Sequence, residues 1–332
     1  MKKIFIILII MMVGVMGVHS QVNFDDMEAS FSDFSADVAE ALPFASTIGL
    51  NWSDAKVRGF PHFGVGVTAG AVMIPEKAFT DLADSLDISL PSEITDAGIG
   101  VPFPVYVVDA RLGLPFLPFD IGAKLGALTP EMSESLGSDV NADFTMAGFD
   151  LRFPILKGNL LLPAISVSTG YNYLSGGVST TISGAGAVTN GIDLDSIITG
   201  ASLTYGDPDV RFAWETHAVD VKLQASKNLL IFTPYIGGSY TYGWSKAGGG
   251  VLADITFNGA TEEEIKDALD AAGYDVELSG DGFTILSESN GGSLRAFAGV
   301  SVNLFILKLD INAMYNVLSQ SLGGSANVRI AF

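Results

Sequence analysis

One pattern recurs from residue 63 to the last residue. Apolar residues alternate with small or polar ones over short segments, and Gly, Pro, Asn, Asp and Ser separate the segments. Phe63, Val65, Val67, Ala69, Ala71 and Met73 alternate with Gly64, Gly66, Thr68, Gly70 and Val72. The same alternation runs through residues 106–114, 119–125, 147–153, 165–173, 219–225, 235–244, 294–304, 307–317 and 325–332. A two-residue period puts every second side chain on one face of an extended chain. Ten such strands, each with one apolar face, need an apolar medium or core along their whole length.

Composition decides which. Mean hydropathy is +0.40 although only 16% of residues are charged, where a soluble domain has about 25%. Beyond residue 20 every apolar stretch is cut before it reaches the ~20 residues of a spanning helix. A bilayer admits only helices and closed barrels, because backbone groups must be satisfied internally. An apolar chain with 38 Gly and no spanning helix therefore reads as all-β, a closed antiparallel transmembrane β-barrel. The ten segments set the lower strand count. Residues 178–188 with 197–205, and 251–257 with 282–286, extend the expected range to 10–14 strands.

The connections alternate in length. Short ones fall at residues 113–118, 154–159, 226–228 and 303–306, and long ones at 74–101, 128–143, 174–210 and 245–292. Residues 319–322 are a short exception on the long side. Short turns at one end and long loops at the other are the habit of outer-membrane barrels. With ten strands both ends of the barrel chain fall on the short-turn, periplasmic side.

Residues 1–20 read as a secretory signal, with Lys2 and Lys3, an uncharged run from Ile4 to Met16, and small residues ahead of a cleavage point after Ser20. Residues 21–44 read as an amphipathic helix. Phe24, Met27, Phe31, Phe34, Val38 and Leu42 recur at helical spacing with acids between them. On the periplasmic side such a helix would plug the barrel or pack under its base. Residues 45–332 form the barrel.

The net charge is −20, and loss of Lys2 and Lys3 makes it more negative. Nucleic acid is excluded as a partner, since phosphate binding needs a basic surface. Asp109, Arg111, Asp120, Lys124, Asp150, Arg152, Asp220, Lys222, Arg295, Lys308, Asp310 and Arg329 all fall on the faces opposite the apolar ones. A charge facing lipid at mid-depth costs ~2–4 kcal/mol, so these residues face the lumen, where they either pair and fill it or line a pore. Tyr171, Tyr173, Tyr240, Tyr242 and Trp244 cluster at strand ends, as interfacial girdles do.

Chemistry-bearing motifs are few. The chain has no Cys, which removes disulfides and thiolate metal sites. Asp139, Asn141 and Asp143 have the spacing that opens a calcium loop, but Phe144 stands where the tight turn needs Gly. His217 lies near Glu215 and Asp220, and no nucleophile motif accompanies it. The expectation is no catalytic residue, no metal and no cofactor. Thr261 and Glu264 have capping-box spacing.

The end of the chain carries a resemblance. Gly324, Val328, Ile330 and Phe332 resemble the C-terminal assembly signal of bacterial outer-membrane β-barrels, which implies the barrel-assembly machinery and outer-membrane lipid with its headgroups as partners. Over residues 24–130, GLNWSDAKVRGFPHFGVGVTAGAVMIP and VPFPVYVVDARLGLPFLPFDIGAKLG resemble a family of exported bacterial barrel proteins with no assigned activity. The helix before the first strand is also similar to the plug of long-chain fatty-acid transporter barrels, whose Asn-Pro-Ala signature is absent. These resemblances imply passage of small solutes, hydrophobic ones included. The alternative is a structural or display barrel with acidic loops and a filled lumen.

Overall fold

The computed structural model describes residues 24–85, 100–128, 141–181, 192–193, 202–205, 209–252, 255–261, 263–264, 267, 276–279 and 282–332. A helix, α1 (Phe24–Ser46), precedes strand β1 (Phe63–Ile74), and a second helix, α2 (Glu76–Ser85), follows it. Then come β2 (Val101–Gly113), β3 (Asp120–Leu128), β4 (Asn141–Lys157) and β5 (Ala164–Thr181). Two short strands follow, β6 (Ile192–Asp193) and β7 (Ser202–Tyr205), then the long β8 (Asp209–Ser226) and β9 (Phe232–Leu252). After two more short strands, β10 (Ile255–Asn258) and β11 (Val276–Ser279), the chain ends with β12 (Gly282–Leu304), β13 (Leu307–Asn316) and β14 (Leu322–Ala331).

Ten of these strands close into an antiparallel barrel in the order β12-β13-β14-β1-β2-β3-β4-β5-β8-β9. Closure occurs where β9 pairs β12, from Phe232↔Val302 to Leu252↔Gly282. First and last strands meet from Gly64↔Ala331 to Val72↔Gly323. The barrel has ten strands, the lower limit of the expected range of 10–14. Ser202–Tyr205 pairs with Ile255–Asn258 in a separate small sheet, completed by Ile192–Asp193. Residues 251–252 and 282–286 are the upper ends of β9 and β12, paired with each other. These segments alternate because they extend or sit above a wall that is already closed.

The barrel has two skins. Outward residues Val67, Val108, Leu125, Val221, Ile236, Ile311 and Val328 are exposed, while their neighbours Thr68, Asp109, Lys124, Asp220, Asp310 and Asn327 are buried. Tyr106, Tyr240, Tyr242, Trp244 and Tyr315 stand on the outer face. Beyond that level the outer face carries exposed charge, including the pairs Lys246–Glu288 (2.5 Å) and Arg211–Asp143 (3.7 Å). The stretch from Phe232 to Trp244 exceeds the ~9–11 residues that a tilted strand needs to cross a hydrocarbon core. The long strands β4, β5, β8, β9 and β12 therefore rise past the belt at the long-loop end.

The location of α1 differs from a helix packed beneath the barrel. Ser32 bonds Ser287 in the upper part of β12. Lower on the helix, a Cβ on Gly243 would come 2.4 Å from Pro43. Below the helix end, Thr47 meets Arg295, eight residues further down β12 than Ser287. So α1 enters from the long-loop end and descends inside the lumen. Residues 41–50 are buried on all sides, which a helix packed on a surface through one face would not be. Helix α2 lies in a connection the sequence offered only as an acidic loop. Ala78 and Phe79 are buried against α1, with the Phe34 and Phe79 rings 5.3 Å apart.

Candidate functional site: a filled lumen and an apolar cleft

Two zones divide the lumen. The lower one is polar and is organised by residues 47–58, which thread from the end of α1 to the short-turn end. Helix α1 leaves orphan carbonyls at its C-terminus. Lys124 Nζ donates to the carbonyls of Ser46 (2.5 Å) and Ile48 (2.7 Å), placing a cation at the negative end of the helix dipole. Lys222 Nζ donates to Leu50 O (3.1 Å). Gly49 is required where the chain turns: its φ is +88°, and a Cβ would sit 2.6 Å from Val107 Cγ2.

Below that turn, Trp52 is the hub. Its Nε1 donates to Asp109 (2.7 Å), and the Arg329 and Arg111 guanidinium groups lie 4.6 and 5.6 Å from its ring centre. Gly64 lies beside it, where a Cβ would come 2.6 Å from the indole. Arg111 bridges Asp120 (2.6 Å) and both oxygens of Asp150 (2.8 Å). Arg152 donates to Asp120 (2.6 Å) and to the Asp54 carbonyl (2.5 Å). Arg329 pairs with Asp310 and donates to Ser53 (2.9 Å). Asp220 accepts from Asn172 (2.7 Å), and Arg295 donates to Ser239 and Thr47. Of the twelve lumen residues named from sequence, all but the half-buried Lys308 are buried. The network is tied as much to residues 47–58 as to itself, and no sequence pattern had marked Trp52.

The upper zone is apolar. Phe34, Val38 and Leu42 of α1 pack with Phe79, Val105, Phe144, Met146, Leu174, Phe212 and Trp214. Phe31 packs at its edge, and Phe24 and Met27 lie in the first turns of α1. Beside α1 a cleft opens among Val38, Phe79, Phe103, Val105, Leu128, Phe144, Phe212 and Trp214, with Phe103 edge-on to Trp214 at 5.2 Å. Inward aromatic residues on the upper strands had no sequence signal except that alternation fails there.

The wall beside this cleft is split. Strand β2 pairs β1 along its whole length, but pairs β3 only from Gly113↔Asp120 to Val108↔Leu125. Among the described residues, Val105–Val107 has no ladder to Gly126–Leu128, where β3 ends. Pro102 and Pro104 follow directly on this stretch, and a proline cannot donate to a ladder. Both prolines face outward yet line the same cleft as the inward Phe103 and Val105. Outward Tyr106 and inward Phe144 touch across the split, ring centres 4.8 Å apart.

The remaining sequence candidates are dispersed. His217 lies on the outer face, bonded to Glu215 (2.8 Å) and the Tyr171 hydroxyl (2.6 Å), while Asp220 points into the lumen. Asp143 pairs with Arg211, and Asp139 lies outside the described residues. Val328, Ile330 and Phe332 are exposed on the outer face of β14, and Gly324 pairs Ala71. The Thr261–Glu264 capping box is formed reciprocally, with Thr261 N to Glu264 at 2.8 Å and Glu264 N to Thr261 at 3.3 Å.

No protein-family model matches this chain, and no curated protein does. Solved structures do. The outer membrane protease OmpT of Escherichia coli matches at 9% identity and TM-score 0.37, over 82% of this chain and 97% of that one. The translocator domain of the autotransporter NalP of Neisseria meningitidis matches at 10% identity and TM-score 0.36, over 92% and 99%. The toluene transporter TbuX of Ralstonia pickettii matches at 10% identity and TM-score 0.25, over 89% and 93%. Their functions differ, and likenesses this distant assign none of them to this chain.

Proposed function

We propose that this chain is an outer-membrane barrel that takes small apolar solutes at its long-loop mouth and passes them through the split in its wall. The observation that carries this reading is the cleft itself, whose lining joins inward aromatics to outward prolines at an unpaired strand edge. Wide aqueous passage is disfavoured, because α1 and residues 47–58 occupy the lumen from one end to the other. The enclosed space is about 40 Å³, whereas an apolar cavity of ~150 Å³ takes benzene. A solute must therefore push the walls apart, and the unladdered edge between β2 and β3 is where they yield at least cost. The reading includes no catalytic role, since His217 and Glu215 sit on the outer face away from the cleft.

The test is uptake of a radiolabelled aromatic hydrocarbon by cells carrying the protein, against cells carrying Phe144→Asp. Uptake above background for the parent chain and background for the variant, with both migrating as folded barrels, supports the reading. Equal uptake with and without the protein overturns it. That second outcome would favour a display scaffold, a role to which a filled lumen and long acidic loops are also suited.

A further inference from the structure

The short-turn end carries a second cleft, unrelated to the first. It opens between the β4–β5 turn, the β8–β9 turn and residues 54–58, and its volume is about 350 Å³. Lys56, Arg58, Lys157 and Lys227 line it against a single carboxylate, Asp54. In a chain of net charge −20, this is a local reversal of sign. Arg58 is paired with Asp54 at 3.3 Å. Lys227 Nζ donates to the carbonyls of Asn159 (3.1 Å), Leu160 (2.6 Å) and Leu162 (3.3 Å), fastening one turn to the other. The ammonium groups of Lys56 and Lys157 have no partner among the described residues, so two cations line the cleft unneutralised.

The surroundings of the cleft name the kind of anion. Leu160 is 97% exposed, Leu161 89% and Leu230 95%, all on the two turns that frame it. The other two short turns end in Phe116 (106%) and Phe305 (101%). Apolar residues at every turn tip, continuous with the outer belt, leave this end of the barrel at the boundary between acyl chains and headgroups. A free anion would need the cations alone. Exposed cations beside exposed leucines match a molecule with a phosphate at one end and hydrocarbon at the other.

We propose that this cleft holds the phosphate of an anionic phospholipid in the inner leaflet, with Lys56 and Lys157 as its ligands and Lys227 as the clamp that keeps the cleft open. The inference rests on the barrel spanning a bilayer but not on solute passage, so the two stand or fall separately. The experiment reconstitutes the barrel with phosphatidylglycerol and phosphatidylcholine in equal amounts and counts retained lipid by native mass spectrometry. The parent chain is expected to retain phosphatidylglycerol preferentially. The double variant Lys56→Gln, Lys157→Gln should bind it roughly tenfold more weakly or worse, with unheated gel mobility unchanged. Equal retention of the two lipids by the parent chain overturns the proposal whether or not the variant folds. So does undiminished retention by a folded variant. Inorganic phosphate bound through the same lysines, without any lipid preference, would assign the cleft to a free anion and also overturn it.

Discussion

At the scale of single residues, the interior is a set of buried charges held by one another. Arg111 is fully enclosed and holds two carboxylates, Asp120 and Asp150. Removing one member of a buried ion pair costs about 3–5 kcal/mol, because it strands the other. Arg111→Ala leaves Asp120 with Arg152 and Asp150 with Lys222 (3.8 Å), so the expected loss lies toward the lower end of that range, read as a lower temperature for loss of the folded gel band. Pro102 and Pro104 act in the opposite sense. Pro102→Val with Pro104→Val gives β2 two further backbone donors above Tyr106, and the wall should become harder to part there. The expected result is unchanged or greater thermal resistance together with loss of hydrocarbon uptake, measured on the same cells. His62, just before β1, donates to the Phe332 carbonyl where the first and last strands meet. Its burial, and the nearby Arg58, lower its pKa below 6.5 despite that hydrogen bond. The unfolded chain then binds the proton more readily than the folded one. Stability from this group is complete above pH 6.5 and falls as pH drops from there toward the folded value. His62→Gln should flatten that part of a pH–stability curve.

At the scale of elements, legibility followed what each face touches. The lower strands were readable because one face meets an apolar exterior and the other a polar network, so Val65 and Gly64, or Val221 and Asp220, differ in kind. In the upper parts of β4, β5 and β8 the inner face packs on α1, and Met146, Leu174 and Phe212 are as apolar as an outer residue. There the period disappears, and the true strand ends could not be read. The helical period of α1 was visible, but its place was not, since spacing records a face and not what covers it. The burial of residues 41–50 was written in ALPFASTIGL, an apolar and small stretch with no solvated side. The apolar spacing in AFTDLA marks α2, although the acids around it suit a solvated loop equally. The lumen side of the charged residues followed from the cost of facing lipid, whereas their tie to residues 47–58 needed the fold. Deleting residues 24–46 is expected to leave the ten strands closed and to open the upper lumen. In planar bilayers the parent chain should show little conductance and the shortened chain stable, larger steps. Equal conductance of the two would mean that α1 does not obstruct the lumen.

At the scale of the whole molecule, three polarities are stacked along one axis. Charged strand extensions stand at one end, an aromatic and aliphatic belt encircles the middle, and apolar turn tips with a basic cleft close the other end. The belt is the feature on which everything else depends, because such an exterior is stable only against an apolar medium. The measurement that tests it most directly is gel mobility of the protein from a membrane fraction, unheated and boiled in detergent. A compact, faster band that slows on boiling is the predicted result, since a closed ladder resists detergent until heat opens it. A single band of unchanged mobility, recovered in the soluble fraction, would contradict the barrel and with it the cleft, the plug and the lipid site.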